Sequence, residues 1–199
     1  MHKIESLPYS YDALEPYYGR EMLRIHHDIL YKGYADSLNV TESKLKTAMD
    51  NSDYTNIKCL KKDLSFNGSG YILHTMFFQN MGMPKTFFPT SHLIEQINKD
   101  FNSFEAFKNQ FSEAALKVEG SGWCILGWHP MFNKLEILQC EKHQNLTLWG
   151  IIPILVLDVW EHSYFLQYKS EKSEYIEKWW EIVNWQVVSR RFESLFIRN

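Results

Sequence analysis

Asp158 and His162 are the residues of this 199-residue chain whose types and spacing point most directly to chemistry. They lie four residues apart, directly after the apolar stretch 151–157, which is predicted to be a buried strand. A carboxylate at the end of a buried element is costly unless it is paired or binds a metal. A carboxylate and an imidazole that converge on one point suit manganese, iron or zinc. The alternative is that Asp158 caps the following helix and His162 packs beside it.

Further histidines lie on two predicted helices. His26 and His27 are neighbours in the first helix, where adjacent side chains point about 100° apart, so only one of them can face a buried site. His74 lies in the second helix among apolar residues. A histidine on an apolar face is more often an ordinary core residue than a ligand, so these positions alone leave both interpretations open. Surface or capping roles are expected of three other histidines: His2, His92 and His129.

The composition narrows the class of protein. Hydrophobic residues make up 45% of the chain and the formal net charge is -3, with no stripe of Lys and Arg, so we expect no nucleic-acid partner. The three cysteines are scattered, which favours neither a zinc knuckle nor a disulfide framework. The apolar stretch 151–157 is too short to cross a bilayer, and residues 1–10 lack the apolar core of a signal peptide. We therefore expect a cytoplasmic protein with no membrane association.

The periodicity of apolar residues predicts an extended arm to Gly19 and then two long helices, over residues 20–40 and 55–81. Gly and Pro residues between 81 and 92 indicate a boundary, which divides the chain into domains 1–84 and 85–199. Shorter helices are expected over 91–100 and 103–118, each with a serine that could cap it.

After the turn at residues 120–122 the pattern changes to strands, predicted over three ranges: 123–128, 134–140 and 146–157. Helices are expected again over 161–168 and 174–196. The chain is therefore predicted to be α+β: an all-helical N-terminal domain built on a long helical hairpin, followed by a mixed α/β domain with a small three-stranded antiparallel sheet.

Several motifs resemble, in the same order along the chain, those of the iron/manganese superoxide dismutases. They span almost the whole sequence, and Asp-Val-Trp-Glu-His is highly specific by itself. These motifs are Leu7-Pro8-Tyr9-Ser10-Tyr11-Asp12-Ala13-Leu14-Glu15-Pro16, His26-His27, Gly120-Ser121-Gly122-Trp123, Asp158-Val159-Trp160-Glu161-His162 and Val183-Asn184-Trp185.

The resemblance implies an enzyme that converts two superoxide anions and two protons into oxygen and hydrogen peroxide by ping-pong redox cycling. It implies one manganese or iron ion per subunit. The family's ligands map onto four residues of this chain: His26, His74, Asp158 and His162.

The resemblance also assigns residues around the ion. Tyr34 matches the family's gateway tyrosine, and Trp123 and Trp160 match aromatic residues that wall the site. Glu161 matches a residue that reaches His162 of the partner subunit, which implies a homodimer. Each has a simpler interpretation: the aromatic residues could be ordinary core, and Glu161 could be favoured by the dipole of the following helix.

Departures from the family pattern affect the expected choice between manganese and iron and the expected rate of dismutation. The family carries a glutamine beside the metal, at one position in iron-type members and at another in manganese-type members. Gly70 occupies the iron-type position, which favours manganese slightly. His143 occupies the manganese-type position. Lys172 replaces an arginine of the substrate channel and retains the attraction for an anion. Leu30 and Phe165 replace a histidine and a tyrosine of a proton relay. Their loss supports an alternative function: a metal-binding relative with weak or no dismutase activity and a structural or interaction role.

Overall fold

The computed structural model describes residues 1–84 and 88–196 of the chain. The first long helix is continuous but changes character along its length: α1 (Arg20–Ile25) runs into a π-helical segment (His26–Tyr31) and then into α2 (Lys32–Asp50). It therefore extends ten residues beyond the predicted end at residue 40. The second long helix, α3 (Ile57–Gln79), lies within the predicted range 55–81 and packs against α2 as a hairpin.

Gly68, Ser69 and Gly70 lie in the middle of α3 and are helical, and Gly70 allows close packing within the hairpin. A Cβ atom on Gly70 would lie 2.8 Å from Cδ1 of Tyr34, so a larger residue would push the tyrosine ring aside. Glycine in a helix interior is unfavourable in isolation. Here it allows the ring of Tyr34 to lie directly against α3.

The opening segment is not the extended arm that the sequence suggested. Residues 11–18 form successive turns, and Leu14 and Tyr18 are completely buried in the core. The hydroxyl of Tyr9 donates to the carbonyl of Phe78 at 2.8 Å. The segment is folded back against α3 because its apolar and aromatic residues contribute to the core.

The C-terminal half begins with α4 (Ser91–Phe101) and α5 (Phe104–Leu116). Ser103 caps α5, because its Oγ accepts a hydrogen bond from the backbone N–H of Ala106 at 3.0 Å. The prediction that Ser91 caps α4 is wrong. Ser91 is already the first helical residue, and Thr90 before it makes no side-chain cap.

In the described part of the chain, three antiparallel strands form one sheet in the order β2-β1-β3. These strands are β1 (Gly122–His129), β2 (Lys134–Glu141) and β3 (Ile152–Asp158). Every residue of the central strand β1 is buried. The predicted third strand was too long, because residues 146–151 form a turn in which Leu146 and Gly150 have positive φ. The predicted fold class, helical hairpin followed by a three-stranded α/β domain, is confirmed.

The predicted helices after the sheet are shorter than expected. The range 161–168 divides into a 3₁₀ turn (Glu161–Ser163) and α6 (Phe165–Tyr168). The range 174–196 divides into α7 (Lys172–Trp179), a 3₁₀ turn (Trp180–Ile182) and α8 (Trp185–Ser194). The break occurs because Val183 is extended and Asn184 starts a new helix, its Oδ1 accepting from the N–H of Val187.

Contacts between the two halves involve the end of α3. The N–H of Gly82 donates to the carbonyl of Ile182 at 2.9 Å, and Met81 pairs with Val183 in an isolated β-bridge. The predicted boundary between residues 84 and 85 lies at the edge of a gap in the described residues and stays a prediction. None of the helices within 1–84 and 88–196 is long and apolar enough to cross a membrane.

Gly122 provides a test of the packing that joins β1 to β2. A Cβ atom at this position would lie 2.2 Å from the backbone oxygen of Cys140, which cannot move without breaking the sheet. We expect Gly122→Ala to lower the free energy of unfolding by about 3 kcal/mol in urea denaturation, the upper range for overpacking. The control is Gly33→Ala in α2, where no atom lies within 4 Å of the added Cβ. That control should stabilise the protein by about 0.5 kcal/mol, and equal effects of the two changes would contradict the packing argument.

Candidate metal centre

Four side chains from both halves of the chain converge on one buried point. Oδ2 of Asp158 lies 3.1 Å from Nε2 of His26, 3.3 Å from Nε2 of His162 and 3.7 Å from Nε2 of His74. One ligand atom from each of the four residues lies within 4.8 Å of all the others. His26, His74 and Asp158 are completely buried, and the side chain of His162 is 23% exposed. The structure therefore brings together all four ligands that the sequence predicted.

Each ligand sits at a specific place in its element. His26 is the first residue of the π-helical segment, and π-helical turns occur often at functional sites. His74 faces inward from α3, Asp158 ends β3 and His162 follows in the 3₁₀ turn.

The neighbour of His26 takes no part in this cluster. The ring of His27 points to the opening segment, with Nε2 2.8 Å from the carbonyl oxygen of Glu5 and Nδ1 2.8 Å from Oδ1 of Asp28. The helical rotation between adjacent residues thus gives His26 and His27 different partners, as the sequence predicted.

The two carboxylate oxygens of Asp158 have different partners. Oδ1 accepts a hydrogen bond from the backbone N–H of Trp160 at 2.8 Å, which closes a turn before the 3₁₀ segment. That segment has no side-chain cap, so the alternative that Asp158 caps the following helix is wrong. Oδ2 faces the three imidazoles. The backbone carbonyl of Asp158 accepts from the hydroxyls of Tyr175 and Ser163, each at 2.9 Å, so the end of β3 is fixed from several sides.

His74 carries the strongest indication that a cation belongs at this point. Its Nδ1 lies 2.6 Å from the carbonyl oxygen of Gly70, which can only accept a hydrogen bond, so Nδ1 carries the proton. In the neutral imidazole Nε2 then presents a lone pair, and this buried atom has no hydrogen-bond partner in the described residues. The lone pair faces a carboxylate oxygen 3.7 Å away. Two facing electron donors in a dry interior are unfavourable unless a cation lies between them.

The electrostatics of the cluster agree with that conclusion. Burial lowers the pKa of His74 well below its ordinary value and that of His26 to about 4, so both imidazoles are neutral near pH 7. Burial by itself would raise the pKa of Asp158, but the imidazoles of His162 and His26 hold it below its ordinary value. Two neutral imidazoles and an ionised carboxylate form the donor set that a divalent redox metal takes.

A second layer of side chains orients the ligands, as is usual around bound metals. The carbonyl of Gly70 fixes His74, and the hydroxyl of Tyr18 lies 2.8 Å from Nδ1 of His26. Sequence analysis missed Tyr18 and Tyr175. No spacing relates either residue to the ligands, because only the folded chain brings them to the cluster.

Three of the predicted site residues form a hydrogen-bonded chain beside the ligands. The indole N–H of Trp123 donates to Nδ1 of His143 at 3.0 Å, and Nε2 of His143 lies 2.8 Å from the hydroxyl of Tyr34. Because the indole can only donate, neutral His143 carries its proton on Nε2 and donates it to Tyr34. Burial lowers the pKa of His143 to about 4, which keeps the ring neutral. The structure thus connects Tyr34 to His143, 109 residues away in sequence.

Trp160 and Glu161 lie on the outer side of the cluster. The ring of Trp160 stacks on His143 at 4.6 Å between centroids and also lies against His162 at 5.4 Å. The Glu161 side chain is exposed and makes no hydrogen bond or ion pair within the described residues. Trp160 therefore forms a wall of the site, while the side chain of Glu161 is exposed to solvent.

Lys172 is the first residue of α7, and its side chain reaches the C-terminal end of α5. Its half-buried ammonium group donates to the carbonyls of Leu116 at 3.2 Å and Val118 at 3.4 Å. A cation is favourable there because the carbonyls at the end of a helix carry partial negative charge. Within the described residues Lys172 makes no hydrogen bond or ion pair with the four ligands. A role in guiding superoxide stays a prediction, and the contacts give Lys172 a structural one.

The lowered pKa of His26 predicts how the metal-free protein responds to acid. Its imidazole has a pKa of about 4 when folded and 6.5 in the unfolded reference, so between these values the unfolded chain binds the additional proton. The free energy of unfolding should therefore fall as the pH is lowered from 6.5 to 4, by about 3 kcal/mol for this group. Urea denaturation of metal-free protein at several pH values measures the total fall, to which the lowered pKa values of His74 and His143 add in the same direction.

The control for the acid effect is the variant His92→Gln, because His92 is exposed and far along the chain from the ligands. It should keep the same pH dependence as the unmodified chain. A free energy of unfolding that stays constant across this pH range would contradict the burial of a neutral His26.

Comparison with known families matches two stretches of the chain. Residues 1–82 match the alpha-hairpin domain of iron/manganese superoxide dismutases, and residues 89–191 match the C-terminal domain of the same family. Together the two domains cover well over half of the chain, in the order in which the four ligands occur.

Individual relatives are similar over nearly the full length. The chain is 44% identical to a probable superoxide dismutase [Fe] of Bacillus subtilis (97% of this chain, 69% of that protein). It is 43% identical to a superoxide dismutase [Fe] of Methanothermobacter marburgensis (98% of both chains). It is 41% identical to a superoxide dismutase [Mn/Fe] of Aeropyrum pernix (97% and 91%). With both domains matched and the buried ligand cluster assembled between them, the chain belongs to the iron/manganese superoxide dismutase family.

Proposed function

We propose that this protein is a superoxide dismutase that holds one manganese or iron ion between His26, His74, Asp158 and His162. The observation that carries the proposal is the buried lone pair of His74 that faces the Asp158 carboxylate. When bound there, the ion would supply the one-electron chemistry that oxidises one superoxide to oxygen and, with two protons, reduces the next to hydrogen peroxide. The chain binds and orients the ion, excludes water and delivers protons.

Aromatic side chains around the ligands keep water out of the site. The ring centroids of Trp123 and His74 lie 5.0 Å apart in an edge-to-face arrangement, and Tyr31 stacks on the same imidazole at 6.1 Å between centroids. Phe77 and Phe78 lie against His26 at 5.3 and 5.1 Å. A dry site strengthens the attraction between the ligands and a bound cation and limits side reactions.

Tyr34 is the proton donor that the structure supports best. Burial raises the pKa of its hydroxyl above the ordinary value, so the group is protonated at neutral pH. Its oxygen accepts the single N–H of neutral His143, which leaves the tyrosine's own proton free to be donated to reduced substrate. The half-buried position of Tyr34 allows the proton to be replaced from outside.

His143 is also the residue from which we expect a broad metal preference. A glutamine amide has two N–H donors, whereas the ring nitrogen of His143 that faces Tyr34 has one, and Tyr34 occupies it. Gly70 supplies no donor from α3. Hydrogen-bond donors beside the metal tune its redox potential, and this site has fewer of them. We therefore propose that the protein uses either metal, with manganese slightly preferred.

We further propose a homodimer through the surface around His162. The outer nitrogen of His162 has no partner in the described residues, unlike those of His26 and His74, and Glu161 is exposed beside it. Exposed apolar side chains line the same surface depression, including Phe165 at 50% and Leu166 at 44%. Glu161 of one subunit would accept a hydrogen bond from His162 of the partner subunit, completing the second layer of the site.

A cytoplasmic location is part of the proposal. Cys59, Cys124 and Cys140 are all free thiols in the structure, and free thiols persist in reducing compartments.

Loading the purified protein separately with manganese and with iron tests the function. We expect about one ion per subunit and superoxide dismutation with either metal, measured together with metal content. The variant His74→Ala should lose both, because it removes the donor that faces Asp158, while His92→Gln should keep both. Full occupancy with neither metal active would refute the dismutase and support the alternative of a metal-binding protein with a structural role.

The apolar pair Leu30 and Phe165 predicts a limit on the rate. Both side chains are apolar, so neither can relay a proton towards Tyr34. Leu30 is half-buried and Phe165 is exposed. We expect the double variant Leu30→His with Phe165→Tyr to raise the turnover number severalfold, measured by pulse radiolysis at high superoxide concentration. Each single variant is the control and should change turnover little, because one polar group has no partner. Unchanged turnover in the double variant would count against a missing relay.

A further inference from the structure

The end of α3 is joined to β3 and α8 by a hydrogen-bond network centred on Asn80, which is completely buried. The side-chain amide of Asn80 donates to the carbonyl of Val156 at 2.9 Å, and its Oδ1 accepts from Nη1 of Arg191. Its backbone carbonyl accepts from the N–H of Asn184 at 2.6 Å. One residue therefore connects the helical hairpin to both the sheet and the last helix.

Arg191 extends the network with directed donors. Nη1 also donates to the carbonyl of Ile154 at 3.2 Å, and Nη2 donates to Oε1 of Gln79 at 2.5 Å. Within the described residues the guanidinium forms no ion pair with a carboxylate. A largely buried cation with neutral partners is costly, so stability alone does not account for it. A guanidinium provides several donors at fixed angles, which suits it to holding two elements at a set distance.

The atoms that the network binds lie on the outer edge of β3. β3 pairs with β1 on one side only, and the carbonyls of alternate residues point to the same side of a strand. The carbonyls of Ile154 and Val156 therefore share the open edge, where Arg191 and Asn80 bind them. The other contacts at the end of α3, those of Met81 and Gly82, reach residues 182–183 rather than the strand.

This junction lies close along the chain to one ligand from each half. Asn80 follows His74 by six residues, about 9 Å along a helix, and Val156 precedes Asp158 by two residues, about 7 Å along a strand. A helix and a paired strand are stiff over such distances. Fixing Asn80 against Val156 therefore fixes His74 against Asp158.

We propose that Asn80 and Arg191 are positioning residues that set the separation of the helical ligands from the strand ligand and thereby the affinity and coordination of the metal. This inference rests on the proposed metal centre but adds residues that touch none of the ligands. A shift of the strand by part of an ångström would displace Asp158 from His26 and His74 together.

The test compares Arg191→Met with Arg190→Met in the full-length protein. Arg190 is the adjacent residue of α8 and is exposed, so it is a matched control on the same helix. The Mn²⁺ dissociation constant is measured by chelator competition, and the visible absorption spectrum of Co²⁺-loaded protein reports the coordination of the ion. Thermal unfolding of the metal-free forms measures stability separately. Arg191→Lys, which keeps the charge and loses the fork of donors, provides a second variant that preserves the fold.

We expect Arg191→Met to weaken Mn²⁺ binding at least about tenfold, the usual range for outer partners of a metal site, and to alter the Co²⁺ spectrum. Arg191→Lys should weaken binding to a smaller extent, and Arg190→Met should leave both readouts unchanged. Lower thermal stability of the Arg191 variants with unchanged affinity and spectrum would show a purely structural role and overturn the inference alone. An unmodified protein that binds neither ion would overturn the proposed function, and this inference with it.

Discussion

The structure depends on a carboxylate that lies completely out of water and faces three imidazoles. Asp158 is ionised there because His162 and His26 lower its pKa against the effect of burial. The proton on Nδ1 of His74 is held by the carbonyl of Gly70, so that imidazole offers the carboxylate a lone pair rather than a proton. Such an arrangement is stable in a dry interior when a cation is shared by all four side chains.

Because the four ligands come from both halves of the chain, the two halves must be held together. His26 and His74 belong to the helical hairpin, whereas Asp158 and His162 follow the last strand, so the site exists only when the halves are held in one relative position. The junction at the end of α3 provides that position. Folding the N-terminal turns against α3 adds Tyr18 to His26, and the aromatic residues between the halves keep water out.

Sequence reasoning reached the ligands but not the atoms that orient them. The spacing of Asp158 and His162 after an apolar strand made them candidates, with a helix cap as the alternative. The family resemblance then assigned them as ligands together with His26 and His74. The roles of Tyr18, Tyr175 and the Gly70 carbonyl depend on tertiary contacts that leave no periodicity in the sequence. Element types were predicted well. One error fell where a single residue decides, at Asn184, which starts a new helix after the break at Val183. Another fell in the opening segment, which folds back because Leu14 and Tyr18 are buried in the core.

The most direct test of this account is a crystal structure of the manganese-loaded protein, with anomalous diffraction recorded on both sides of the manganese absorption edge. We predict one anomalous peak per subunit, at bonding distance from Nε2 of His26, His74 and His162 and from one carboxylate oxygen of Asp158. Nδ1 of His74 should remain hydrogen-bonded to the carbonyl of Gly70. A peak elsewhere on the protein, or an ordered cluster of the four side chains with no metal in fully active protein, would contradict the account.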